Sequence, residues 1–130
     1  MLYTGIDILE ISRIERSLQN SRFKTFVYGV GELKELEEKG FPPQSAAALF
    51  AAKEAFGKAL GIGIKGFSLS EVEILHESNG RPYFYFTGNA KKLTDELSLD
   101  FSISISHSKG FAVAIVIGYS DFKSNGVEQN

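Results

Sequence analysis

The segment Pro42 to Leu60, PPQSAAALFAAKEAFGKAL, constrains the fold more than any other stretch of this chain. Ala and Leu are strong helix formers, prolines are tolerated in a first turn, and Gly61 follows as a stop. A long helix over Pro42–Leu60 is expected, with Leu49, Ala52, Phe56 and Leu60 as its core stripe. The chain around it has 130 residues, 43% of them hydrophobic and 23% charged. That suffices for one domain with one core and leaves little room for a second.

Shorter signals surround the helix. Leu2–Leu9 (LYTGIDIL) reads as a buried strand. From Glu10 the period changes: Ile11, Ile14 and Leu18 form one stripe, so Glu10–Gln19 reads as a helix. Short helical pieces follow at Arg22–Tyr28 and Glu32–Lys39, the latter ending at Gly40. Beyond the glycine-rich Gly61–Gly66, Glu71–His76 and Pro82–Phe86 alternate around Asn79-Gly80, a strong hairpin signal. Asn89–Leu97 reads as a helix. Phe101–His107 alternates, with Phe101, Ile103, Ile105 and His107 on one face and serines on the other, and Phe111–Gly118 is its apolar return strand. The domain is expected over 1–120, with a polar tail over 121–130.

Composition excludes several chemistries. Without cysteine there are no disulfides, thiolate metal sites or cysteine nucleophiles. A formal charge of −2 argues against a general nucleic-acid or anionic-membrane binder. Met1–Leu9 carries Asp7 and lacks a basic leader, and Phe111–Tyr119, the longest apolar run, is only strand-sized. A cytoplasmic protein is expected.

The polar residues that interrupt apolar elements are the candidate site. Asp7 stands between Ile6 and Ile8, where a carboxylate is costly to desolvate without a cation or donors. It either caps the helix beginning near Glu10 or ligates a metal. Glu54 forms a polar island with Lys53 and Lys58 on an otherwise apolar helix. Glu54 and Lys58, at i, i+4, make a surface pair worth about 0.2–0.5 kcal/mol, unless Glu54 converges with Asp7. Two carboxylates without cysteine or clustered histidine suit a hard ion such as Mg²⁺, which completes its shell with water and substrate phosphates. Lysines beside it would neutralise phosphate charge.

His107 ends the inward register of its strand and faces either core or cleft; Ser106, Ser108 and Lys109 add donors for an anionic ligand. Gly61, Gly63 and Gly66 match Gly-x-Gly-x-x-Gly in form, but they follow a helix, which rules out a dinucleotide fingerprint. Their loop either ends the helix or offers backbone N–H groups to phosphate. No Gly-x-Ser-x-Gly elbow supports a serine hydrolase. Arg13, Arg16, Arg22 and Lys24 outnumber Asp7, Glu10 and Glu15 locally, giving either a docking face for an acidic protein or a solvated helix face.

Gly5-Ile6-Asp7-Ile8, Phe50 to Gly61 (FAAKEAFGKALG) and Ile105-Ser106-His107-Ser108, in this order, resemble the short single-domain 4′-phosphopantetheinyl transferases, the holo-[acyl-carrier-protein] synthase family. The resemblance spans nearly the whole chain. It implies an α+β fold with an antiparallel-rich sheet packed on one long helix and several short helices. It implies Mg²⁺-dependent transfer of the 4′-phosphopantetheine arm of coenzyme A to a serine of apo-acyl carrier protein, in fatty acid biosynthesis, with release of adenosine 3′,5′-bisphosphate. By the same resemblance Asp7 and Glu54 are the Mg²⁺ ligands and, with Lys58, the catalytic set. Lys58 and His107 lie against coenzyme A and Arg13 meets the carrier protein by the same resemblance; Lys53, Gly61, Gly63 and Ser108 are expected beside the coenzyme, and Arg16, Arg22 and Lys24 beside Arg13, from their own chemistry. A homotrimer with sites between subunits is implied. Leu49 departs from the pattern, standing where family members often carry arginine. Two other classes use the same residues: a Mg²⁺-dependent phosphohydrolase of coenzyme A or a nucleotide, and a non-catalytic carrier-protein binding module that would tolerate loss of Asp7 or Glu54.

Overall fold

The structure, a computed structural model, describes residues 1–120, so the tail expected over 121–130 lies outside the described residues. Strand β1 (Leu2–Glu10) leads through four helices, α1 (Ile11–Ser17), α2 (Ser21–Val27), α3 (Val30–Glu38) and α4 (Pro43–Leu60). A 3₁₀ turn (Leu69–Glu71) precedes β2 (Val72–His76) and β3 (Pro82–Phe86), and α5 (Gly88–Leu97) precedes β4 (Leu99–Ser108) and β5 (Phe111–Ser120). The expected α+β class and the long helix are found, with element ends moved by a residue or two.

All strand pairs are antiparallel. β1, β5 and β4 form one sheet in that order, while β2 and β3 form a separate hairpin about the Asn79-Gly80 turn. The central position of β5 follows from its sequence: apolar on both faces, it is the strand best suited to cover on both sides. Period-two alternation then divides the sheet. Gly5, Asp7 and Leu9 of β1 face α4, as do Ala112, Ala114 and Val116 of β5, whereas Ile6, Ile8 and Ile115 face outward and are exposed.

Helix α4 is buried nearly all round rather than along the expected stripe; Ala46, Ala47, Ala51, Ala52, Ala55 and Phe56 have no exposed surface. The sheet covers one side, and α1 and the hairpin cover others. Phe56 sits where these layers meet, with its ring centroid 5.2–5.6 Å from those of Phe67, Phe84, Phe86 and Phe101. Burying such a ring contributes about 1.5–3 kcal/mol. The helix ends at Gly61, whose φ of 76° is strained for residues with a side chain. At the other face of the contact, Gly5 lets β1 lie directly on the α4 backbone: a Cβ there would collide with the Ala55 carbonyl oxygen and the Ala59 nitrogen.

Candidate active site

That close approach sets Asp7 beside Lys58 of α4. Asp7 caps nothing: β1 continues through Glu10, and α1 begins without a side-chain cap. Lys58 Nζ instead donates to Asp7 Oδ1 at 3.0 Å and to the Ile6 carbonyl oxygen at 3.1 Å. The surface pair between Glu54 and Lys58 does not form among the described ion pairs, because Lys58 reaches across to the strand. Glu54 is half-buried. Desolvation pushes its carboxyl above the usual range, and the Asp7 charge adds to the rise, while Lys58 and Arg13 pull it back. Arg13 rests over the Phe50 ring at 6.0 Å. The first helix thus contributes a cation within electrostatic reach of Glu54.

Asp7 and Glu54 are hard oxygen donors that repel one another at close range, and a divalent cation relieves that repulsion. Among the described residues no group of three or more His, Asp or Glu that could hold a metal is assembled. Two carboxylates fit Mg²⁺, which leaves most of its shell to water and phosphate oxygens, better than they fit a metal needing a full protein cage.

Two expectations for this site are corrected. Lys53 does not reach a ligand: it is fully buried, and its Nζ donates to Glu32 Oε1 (2.7 Å), the Leu69 carbonyl oxygen (2.9 Å) and the Val72 carbonyl oxygen (2.6 Å). All its protons are committed. Neighbours in sequence on a helix lie about 100° apart, so Lys53 and Glu54 face different surroundings. Gly61 and Gly63 offer no free N–H to phosphate either. The Gly61 N–H bonds the Lys58 carbonyl oxygen, and those of Ile62 and Gly63 bond that of Gly57, which is a helix-ending Schellman arrangement.

Sequence reasoning missed Glu32 of α3, whose carboxylate accepts from Lys53 of α4 and the Ile74 N–H of β2, and Glu73 of β2, whose carboxylate accepts the Glu32 N–H. It also missed the contact between Glu35 and His76, whose Oε1 and Nδ1 lie 2.9 Å apart. Glu35 precedes the buried Leu36 on α3, an alternation typical of any helix surface, and carries no local signal.

His107 reaches a cleft, as one of its two expected settings allowed. The cleft measures about 340 Å³ and is lined by Lys39, Gln44, Leu49, His76 and Ile105 as well as His107. Leu49 supplies an apolar wall there. Ser108 ends β4 beside it, exposed. Asp7 and His107 share the inner face of the sheet but belong to its opposite edge strands, with Ala114 and Ala112 of β5 between them. One chain therefore groups Asp7, Glu54, Lys58 and Arg13 at one edge and His107 with Lys39 at the other.

Arg16 and Arg22 are exposed, and Lys24 lies 4.3 Å above the Phe41 ring. Phe23 of α2 stacks on Phe50 at 6.1 Å, the same ring that Arg13 covers, so α1 and α2 lean on one residue.

Residues 3–116 match the family model described as the 4′-phosphopantetheinyl transferase superfamily. A holo-[acyl-carrier-protein] synthase of Alkaliphilus metalliredigens is 45% identical over 115 residues, 87% of this chain and 94% of that one. Among solved structures, the holo-[acyl-carrier-protein] synthase of Neisseria meningitidis superposes with a TM-score of 0.84 at 32% identity, covering 91% of this chain and 98% of that one. The Helicobacter pylori enzyme in complex with coenzyme A superposes with a TM-score of 0.78 at 32% identity, covering 89% and 99%.

Proposed function

The chain belongs to the 4′-phosphopantetheinyl transferase superfamily, and from that premise we propose that Asp7, Glu54 and Lys58 carry out its reaction as a Mg²⁺ site with an adjoining cation. The reaction is transfer of phosphopantetheine from coenzyme A to apo-acyl carrier protein. The carrier serine gives up its hydroxyl proton to a carboxylate of the site or to solvent as its oxygen forms a bond to the phosphorus that bears the pantetheine arm. The bond from that phosphorus to the bridging oxygen breaks, and adenosine 3′,5′-bisphosphate leaves with the electron pair. Positioning and charge neutralisation are the main tasks in such a displacement. Asp7 and Glu54 would hold Mg²⁺, which would supply Lewis acidity. Lys58, bonded to Asp7 with its side chain half exposed, would turn its ammonium onto the phosphate as charge builds there.

The observation that carries this reading is the meeting of Asp7, Glu54 and Lys58 across a strand and a helix that only Gly5 allows to touch. His107, Ser108 and the cleft beside them are read as the coenzyme A contacts of a second chain, and the site as shared within a homotrimer. Supporting that, the two residue groups lie on opposite edges of the sheet in one chain, and the outer sheet face carries exposed Ile6, Ile8 and Ile115. Arg13, Arg16, Arg22 and Lys24 form the basic face for the acidic carrier protein. The chain works as one domain over 1–120, and a cytoplasmic role in fatty acid biosynthesis follows from the acceptor.

The test is to mix the protein with coenzyme A, Mg²⁺ and apo-carrier protein and weigh the carrier. A gain of about 340 Da, the arm's mass from its formula, is expected, and Glu54→Ala should abolish it. Phosphopantetheine released to water without an adduct would identify a hydrolase; unchanged transfer by Glu54→Ala would remove the metal assignment.

A further inference from the structure

The reaction as described makes no use of the buried charges beside the site. Glu32 and Lys53 have no exposed surface. Glu32 Oε1 accepts from Lys53 Nζ (2.7 Å) and the Gly29 N–H (3.0 Å), and its Oε2 accepts from the Ile74 N–H (2.8 Å). Glu73 in turn accepts the Glu32 N–H at 3.0 Å. Lys53 ties α4 to three separate pieces of chain: α3 through Glu32, the 3₁₀ turn through Leu69, and β2 through Val72. Apolar residues of similar volume often stabilise as well as a buried pair of this kind, so its presence calls for a reason other than stability.

The surface of α4 provides one. Seven of its twelve buried residues are alanine, and the large ones besides Lys53 are Leu49, Phe50 and Phe56. Small side chains give a helix few knobs to lodge in its neighbours' grooves, and methyl contacts are insensitive to a modest turn about the axis. Lys53 is different: its bonds are directional and satisfied at one rotation. The next residue along is Glu54. We infer that the Lys53–Glu32 ion pair is a positioning device that sets the rotation of α4 and thereby holds Glu54 against Asp7 for a divalent cation. The inference rests on the reading of Asp7 and Glu54 as ligands.

Glu32→Gln, which keeps the volume and leaves Lys53 its two carbonyl partners, is the deciding variant. Mn²⁺ binding to the substrate-free protein is followed by electron paramagnetic resonance, alongside the Mg²⁺ dependence of transfer. Both are expected to weaken by about ten-fold or more, the usual effect of disturbing a group that orients metal ligands. The KM for carrier protein should stay unchanged. Lys53→Met should act in the same direction and more strongly where it folds. Glu32→Gln that binds Mn²⁺ like the parent, or that loses its fold altogether, overturns the inference. Glu54→Ala distinguishes the underlying reading: Mn²⁺ binding unaffected by that change would remove the ligand assignment itself, whereas loss there with no change in Glu32→Gln removes only the positioning role.

Discussion

At Glu54 the chain holds a carboxylate in a setting that works against its ionisation, and the direction of that effect makes a prediction. An acid whose folded pKa is raised weakens the fold once ionised: the cost is absent below the unfolded value of about 4.3 and fully present above the folded one. Metal-free protein should therefore lose stability across that window as pH rises, and Glu54→Gln should gain on the parent over the same window. Denaturant midpoints at pH 4 and pH 7 without metal check this, and a constant difference would refute it. Lys58→Ala should lower kcat about a hundred-fold or more with little change in the KM for carrier protein, as expected of a cation acting on developing charge. Asp7 and Glu54 were legible in the sequence because each is a charge where the local pattern wants an apolar residue. Lys53 breaks the same pattern and was misread, since its partner Glu32 lies 21 residues away and nothing local announces it.

Among the elements, α4 and β1 decide the site together. Gly5→Ala should cost about 1–3 kcal/mol or more, because the added methyl meets backbone that cannot turn aside. It should also weaken Mg²⁺-dependent transfer in whatever fraction remains folded, by lifting Asp7 from Glu54. Chemical denaturation and a Mg²⁺ titration of the same variant separate the two effects. Helix α4 could be read from Ala, Pro and Gly alone, and the hairpin from Asn79-Gly80, because propensity and turn chemistry are local. The burial of α4 on nearly all sides could not, since it depends on β5 taking the central place and on the hairpin closing over Phe56. The phosphate reading of Gly61 and Gly63 failed for a related reason. A glycine-rich loop after a helix first satisfies that helix's last carbonyls, and these N–H groups were used up in doing so.

In the whole molecule, the outer sheet face is where assembly can be tested. Ile6 pairs across the sheet with Ile115, and Ile8 with Val113, flanked by Ser104 and Ser106 of β4. On the proposed shared site, Ile115→Glu should lower the sedimentation coefficient to that of a monomer and abolish transfer, while far-ultraviolet circular dichroism stays that of the parent. A monomer with full activity would show that each chain holds a complete site. The two roles of β1 have a bearing on how such a protein can diverge. Odd positions of the strand face α4 and carry Asp7, whereas even positions face outward, so adding or deleting one residue between Asp7 and α1 would exchange the two sets, turning the carboxylate outward and an isoleucine toward α4. Substitutions can accumulate along this strand one at a time, each judged by a single face. A change of length within the strand is judged by both faces at once.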